Sequence, residues 1–247
     1  APIRKLCEYH GVKCESRKLH KRDTNYYGIV IGWKWMIKED RNLIVIHDSL
    51  LPKYRGFNPL VTALINGDQH IGITAFFANN YMDAGPIIYQ TKTRISYPIT
   101  IQQALQSIIP MYVQTVETLI SNIIQNKTLE STEQIHSLAT YSVWRDNSDY
   151  YIDWSQNSSK IVRQIHATGS PYAGSRTLCN GKLVYLMDAI DRPEYTVENS
   201  TPGKVLTIDN GFPVVICGLG CVAITHALSE DGRSLLPWKR TRVRFTL

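Results

Sequence analysis

No apolar run in this 247-residue chain approaches the roughly 20 residues needed to cross a bilayer. The N-terminus, Ala1-Pro2-Ile3-Arg4-Lys5, also lacks the apolar stretch of a secretory signal. A cytoplasmic location without membrane insertion is therefore expected. Cysteine is scarce: five residues, an odd number, at Cys7, Cys14, Cys179, Cys217 and Cys221. None forms a CxxC pair, so neither a disulfide framework nor a zinc site is expected, and no residue is assigned to a metal. Charged residues make up 19% and hydrophobic ones 43%, a balance that excludes a disordered chain and fits an ordinary globular one.

What charge there is leans positive. A net charge of +6 favours a phosphate-bearing partner: nucleic acid, a nucleotide or a folate tail. The densest basic run, Lys239-Arg240-Thr241-Arg242-Val243-Arg244, reads either as an anion contact or as a solvated end.

The first half alternates strand-like and helix-like stretches. Tyr27 to Gly32 and Asn42 to Ile46 are short β-branched runs suited to strands buried on both faces of a parallel sheet. Gly72 to Phe77 and Gly85 to Gln90 are further strand candidates. Pro59 to Asn66 reads as a helix ending at Gly67. Thr100, with Gln103 three residues on, forms a capping box for a long amphipathic helix, with a kink expected at Pro110. After about Ser137 the texture changes. A polar connector and a helix over 158–167 lead to short alternating strands with hairpin signals at Asn180-Gly181 and Asn210-Gly211. The expected architecture is α/β: a Rossmann-like, mostly parallel sheet domain over 1–138, then a smaller, mainly β, OB-like domain over 139–247.

His47 follows directly on a buried strand, where ligands sit in open α/β sheets. Alone it could equally cap the strand. Asp83 lies in a loop between two strand candidates, and a carboxylate beside an imidazole can orient it and stabilise its charged form. Between them, Lys53 and Arg55 could hold an anionic group or merely face water.

The stretch His47-Asp48-Ser49-Leu50-Leu51-Pro52-Lys53-Tyr54-Arg55-Gly56 through Pro59, then Gly67, Gly72-Ile73-Thr74, and Asp83-Ala84-Gly85-Pro86-Ile87-Ile88-Tyr89-Gln90, resembles the 10-formyltetrahydrofolate-dependent formyltransferases. These include methionyl-tRNA formyltransferase and the sugar-nucleotide N-formyltransferases. Farther on, Trp144-Arg145, Ile152-Asp153-Trp154 and Gly169-Ser170-Pro171-Tyr172-Ala173-Gly174 resemble the C-terminal domain of such proteins, less specifically. The resemblance implies a formyl group moving from N10-formyltetrahydrofolate to an amine, with His47 and Asp83 catalytic. It implies a pterin pocket at Trp33, Lys34, Trp35, Asn80, Tyr81 and Met82, although Trp33 and Trp35 could equally be core aromatics. Arg55, Trp144 and Tyr172 are candidate contacts to the acceptor, expected to be a nucleotide-linked amino sugar, with tRNA as the alternative. An oligomer is compatible with this reading.

Two departures stand out. The family places an Asn two residues before the histidine, where this chain has Val45, which can donate no side-chain hydrogen bond. The family also opens with a strand, helix and strand that have no counterpart ahead of His10-Gly11-Val12. The valine keeps a third reading open, a catalytically inactive folate-binding module.

Overall fold

The structure is a computed structural model that describes residues 2–14, 25–32 and 42–247. Trp33, Lys34 and Trp35, expected at the pterin pocket, lie outside the described residues. Helix α1 (Pro2–Tyr9) buries no residue. Strands β1 (Gly28–Ile31) and β2 (Leu43–His47) are followed by the two-residue β3 (Arg55–Gly56), helix α2 (Pro59–Asn66), and strands β4 (His70–Phe77) and β5 (Ile87–Arg94). Helix α3 (Ile101–Ile124) then packs across β4 and β5.

The described sheet has the order β1-β2-β4-β5. Only β1 and β2 run parallel; β2–β4 and β4–β5 are antiparallel. The mostly parallel sheet expected is corrected to that extent among the described residues. For β4 and β5 the physical reason is the loop between Phe77 and Ile87, too short for the dozen or more residues that a parallel crossover needs; the connection from β2 to β4 carries α2 and has no such limit. The α/β character holds, with α2 and α3 covering a core that includes Ile44, Ile46, Leu64, Ile73, Ile101 and Ile108.

Several local signals act as anticipated. Gly67 closes α2 with φ +80°, its N–H returning to the helix's last carbonyls. The Thr100 side chain accepts from the Gln103 N–H while the Gln103 side chain accepts from the Thr100 N–H. Such a cap contributes about 1 kcal/mol. Pro110 does not end α3, since the carbonyl it leaves unpaired belongs to Gln106, on the exposed side. Ile109 and Ile120 of this helix are exposed.

The remaining chain carries β6 (Tyr141–Ser142), paired with β3, and helix α4 (Ser158–Thr168). Strands β7 (Ser175–Cys179), β8 (Lys182–Arg192), β9 (Val205–Asp209), β10 (Phe212–Ile216), β11 (Cys221–Ser229) and β12 (Phe245–Thr246) follow. They form one antiparallel sheet of order β12-β7-β8-β11-β10-β9. Its two edges meet, because the N–H of Val205 donates to the carbonyl of Val243 and that of Phe245 to the carbonyl of Gly203. The result is a curled β unit around Trp154, Ile165, Leu186, Ile224 and Phe245. Both Asn-Gly pairs turn hairpins there, with positive φ at all four residues.

Helix α4 joins the two halves, packing on α2 on one side and β8 on the other. Its Arg163 Nε donates to the carbonyl of Ile65 at 2.9 Å. Buried His166 bonds Asp188 of β8 at 2.7 Å, which holds that carboxyl below its usual range. A depressed folded-state value gives stabilisation that is complete above the free Asp value, about 3.9, and lost as pH falls through the folded one. Asp188→Asn is therefore expected to lower stability at pH 7, with the gap from the natural protein closing on acidification. Urea unfolding at pH 7 and pH 3 measures it.

Candidate active site

A cavity of about 350 Å3 opens at the carboxyl end of β2. Val45 and His47, on the same face of β2, both line it. The segment after β3 adds Phe57 and Asn58, the β4–β5 loop adds Tyr81, Met82 and Asp83, and α3 adds Tyr112.

The loop after His47 is fixed from beneath. Thr74 Oγ1 on β4 donates to the Ser49 carbonyl at 2.6 Å and accepts from the Leu51 N–H at 3.2 Å. Gln90 on β5 adds bonds to Thr74 Oγ1 and the Leu51 carbonyl. Tyr54, whose N–H donates to Thr140 Oγ1, has φ +60° and its carbonyl 2.8 Å from His47 Nε2. A carbonyl only accepts, so Nε2 carries the hydrogen. Nδ1 is then the nitrogen left to exchange a proton.

That nitrogen lies 3.7 Å from Asp83 Oδ2, within ion-pair range but beyond a hydrogen bond. Both side chains are largely shielded, at 10% and 19% exposure. Oδ2 also accepts from the Gly56 N–H at 2.7 Å. Gly56 has φ +102°, and a Cβ there would stand 2.4 Å from the Ser142 carbonyl, so only glycine presents that N–H.

Arg55 does not reach the cavity. It is 3% exposed, and its Nε and Nη2 donate to Gln134 Oε1 at 3.1 and 2.6 Å. Gln134 in turn donates to the carbonyls of Asp83 and Gly85 at 3.0 and 2.7 Å. The expected acceptor contact is thus corrected: this arginine braces the Asp83 loop, because buried Gln134 supplies the acceptor its guanidinium needs. Arg55→Met should cost about 2 kcal/mol by leaving that amide oxygen buried without donors. The urea midpoint should fall with the slope unchanged.

Lys53 is paired with Asp68 at 2.7 Å. Trp144 stands 62% exposed and outside the cavity lining. Tyr172, from the turn after α4, does line it; burial pushes its hydroxyl above the usual value, with Tyr150 and Asp48 adding to the effect. Tyr81 and Met82 line the cavity, whereas Asn80 is exposed beside it. Sequence reasoning assigned no role to Asp48, Tyr112 or Gln134. The first was signalled only by its place next to His47.

An imidazole with one nitrogen tied and the other facing a fixed carboxylate can donate to a developing anion and pass protons. Residues 25–114 match the formyl transferase family and residues 146–239 the formyl transferase C-terminal domain. This chain belongs to the formyltransferase family. Members of that family are folate-dependent N-formyltransferases. Methionyl-tRNA formyltransferase of Thermotoga neapolitana is 30% identical over 213 residues, covering 86% of this chain and 66% of its own length. The chain thus spans about two thirds of such curated relatives.

Among solved family folds, the N-formyltransferase from Helicobacter canadensis, in complex with folinic acid and dTDP-3-aminofucose, superimposes with a TM-score of 0.68. It is 17% identical, and the match covers 93% of this chain and 81% of that one. HypX from Aquifex aeolicus, in complex with tetrahydrofolic acid, gives 0.60 at 22% identity, covering 83% of this chain and 36% of that one.

Proposed function

We propose that this chain transfers a formyl group from N10-formyltetrahydrofolate to the primary amine of a nucleotide-linked amino sugar. Residues 1–138 form the catalytic unit and 139–247 the C-terminal unit. The observation that carries the reading is the convergence of His47 Nδ1 and Asp83 Oδ2 on one cavity, with His47 Nε2 committed to the Tyr54 carbonyl.

The cavity suits such a donor. Val45, Phe76, Ala78 and Leu105 give it apolar walls for a flat ring, and its volume is within the range of small-molecule sites. Tyr81 and Met82 bound the donor's side of it. Bound N10-formyltetrahydrofolate supplies a formyl carbon open to attack by an amine.

The chain's residues do the rest. When Nδ1 carries a proton, His47 directs that N–H at the negative charge that develops on the carbonyl oxygen. Asp83, fixed by the Gly56 N–H, stabilises the imidazolium, whose Nδ1 gives its proton to the departing nitrogen and takes up the amine's proton in its place. Val45 donates nothing, so His47 carries the side-chain donation that the family shares with an Asn. Tyr172 offers a ring for the acceptor's base.

The relatives named methionyl-tRNA formyltransferase support a second reading, with charged tRNA as acceptor. So does the basic run near the C-terminus, where buried Val243 and Phe245 alternate with exposed Arg242 and Arg244, fixing a cationic strip. A formyl-transfer assay with nucleotide-linked 3- and 4-amino sugars and with methionyl-tRNA separates the two. Turnover of a sugar is expected. Formylation of tRNA and of no sugar would install the second reading, and no turnover at all would favour a folate-binding module.

A further inference from the structure

Asp48, one residue past His47, faces two cavities. It lines the reaction cavity together with His47 and Tyr112, and also a second space of about 220 Å3 bounded by Lys53, Asp68 and His70. Its Oδ1 accepts from the Tyr112 hydroxyl of α3, while Oδ2 has no hydrogen-bond partner among the described residues. Burial pushes this carboxyl above the usual carboxylate range, and His47 only partly opposes that.

Formyl transfer sets a proton problem that His47 and Asp83 do not fully answer. An alkylamine acceptor arrives near pH 7 mainly as the ammonium and must lose two protons. One goes so that nitrogen has a lone pair; the other goes to the departing nitrogen as the new C–N bond replaces the old. The His47–Asp83 pair serves the second transfer.

We propose that Asp48 binds the acceptor's ammonium through Oδ2 and takes its first proton, with the second cavity as that proton's route to solvent. In this step an N–H bond breaks, its electron pair stays on nitrogen, and an O–H bond forms on Asp48. Water in the second cavity then accepts the proton and restores the carboxylate. The inference rests on the formyl-transfer reading above.

The surroundings agree with this assignment. Tyr112 fixes one oxygen and leaves the other available. Lys53 is engaged by Asp68 at 2.7 Å and so does not neutralise Asp48 across the second cavity. The groups around Asp48 that would shape its titration are His47 on β2, Tyr112 on α3, Tyr172 after α4, and Lys53, Asp68 and His70 beyond it, with Asp83 on the reaction cavity. A carboxyl raised toward the amine's own range narrows the gap for proton transfer.

Asp48→Asn keeps the shape and can still accept from Tyr112, so a merely structural role predicts little change. The decisive measurements use the best sugar acceptor from the assay above and its hydroxyl analogue. Calorimetric titration without formyl donor should show D48N losing about tenfold or more in affinity for the amine and little for the hydroxyl analogue. In turnover, the loss in kcat/KM should be greatest near pH 6.5 and shrink about tenfold per pH unit up to the amine's own pKa, because neutral amine needs no base. Asp48→Glu, which keeps the carboxylate, should recover part of the amine preference.

Equal affinity loss for both ligands, or a D48N rate deficit independent of pH, would overturn the assignment. So would a D48N protein matching the natural one in both measurements, while leaving formyl transfer itself intact. Failure of the natural protein to formylate any acceptor would instead remove the underlying reading, and this inference with it.

Discussion

His47→Ala is expected to lower kcat by on the order of 100- to 1000-fold while the KM for either substrate changes little. The asymmetry follows from what the imidazole does. Its Nε2–H is already spent on the Tyr54 carbonyl, so Nδ1 contributes chiefly when charge develops during reaction. An interaction made mainly in the transition state is lost from kcat rather than from ground-state binding. With Val45 in place of a side-chain donor, nothing beside His47 on β2 can compensate. Steady-state kinetics with donor and acceptor varied separately would measure this. Full activity in the variant would show that the cavity's chemistry lies elsewhere.

Gly85→Ala should be the most damaging small substitution in the Asp83 loop. A Cβ at Gly85 would stand 1.7 Å from the Phe77 carbonyl oxygen and 2.9 Å from its carbon. Both are backbone atoms of β4, so no rotamer change relieves the overlap. The loop must move, taking with it the Gly85 and Asp83 carbonyls held by Gln134 and the carboxylate opposite His47. We expect about 3 kcal/mol of lost stability, a large share of a typical domain's total, together with a loss of turnover. Gly181→Ala is the control. Its added carbon meets nothing within 4 Å, and the positive φ alone should cost about 1 kcal/mol without touching activity. Urea unfolding and kcat on the two variants would check both.

Much of the fold could be read directly from the residues, because its signals are local. The Thr100 capping box, Gly67 after α2, and the two Asn-Gly turns each act through neighbours within a few positions. The mixed strand directions were harder, since short apolar runs look alike in either orientation; loop length marks β4–β5 as antiparallel, but the helix-bearing connection from β2 to β4 suits either direction. The pairing of His47 with Asp83 came from resemblance, as the two lie 36 positions apart. Arg55 was misplaced for a related reason. Its buried partner Gln134 lies 79 positions away, and nothing adjacent indicates that the guanidinium turns inward. Trp144 looked like a stacking ring by type alone, yet its segment leaves it outside the cavity lining. Asp48 was in plain view but shared its signal with the histidine beside it.

Helix α4 divides its side chains between two cores: Ala167 sits in the one beneath the first sheet, while Ile161, Val162 and Ile165 fill the curled β unit. Neither hydrophobic cluster can lose order while the other keeps that helix fully packed. Thermodynamically, the halves are therefore coupled rather than strung together, and heating should disorder them in concert. The turn leaving α4 carries Tyr172 to the cavity beside His47, so that cavity shares in the coupling. A substitution that loosens the distant β unit would reach the chemistry through this helix, without touching a single residue of the first sheet.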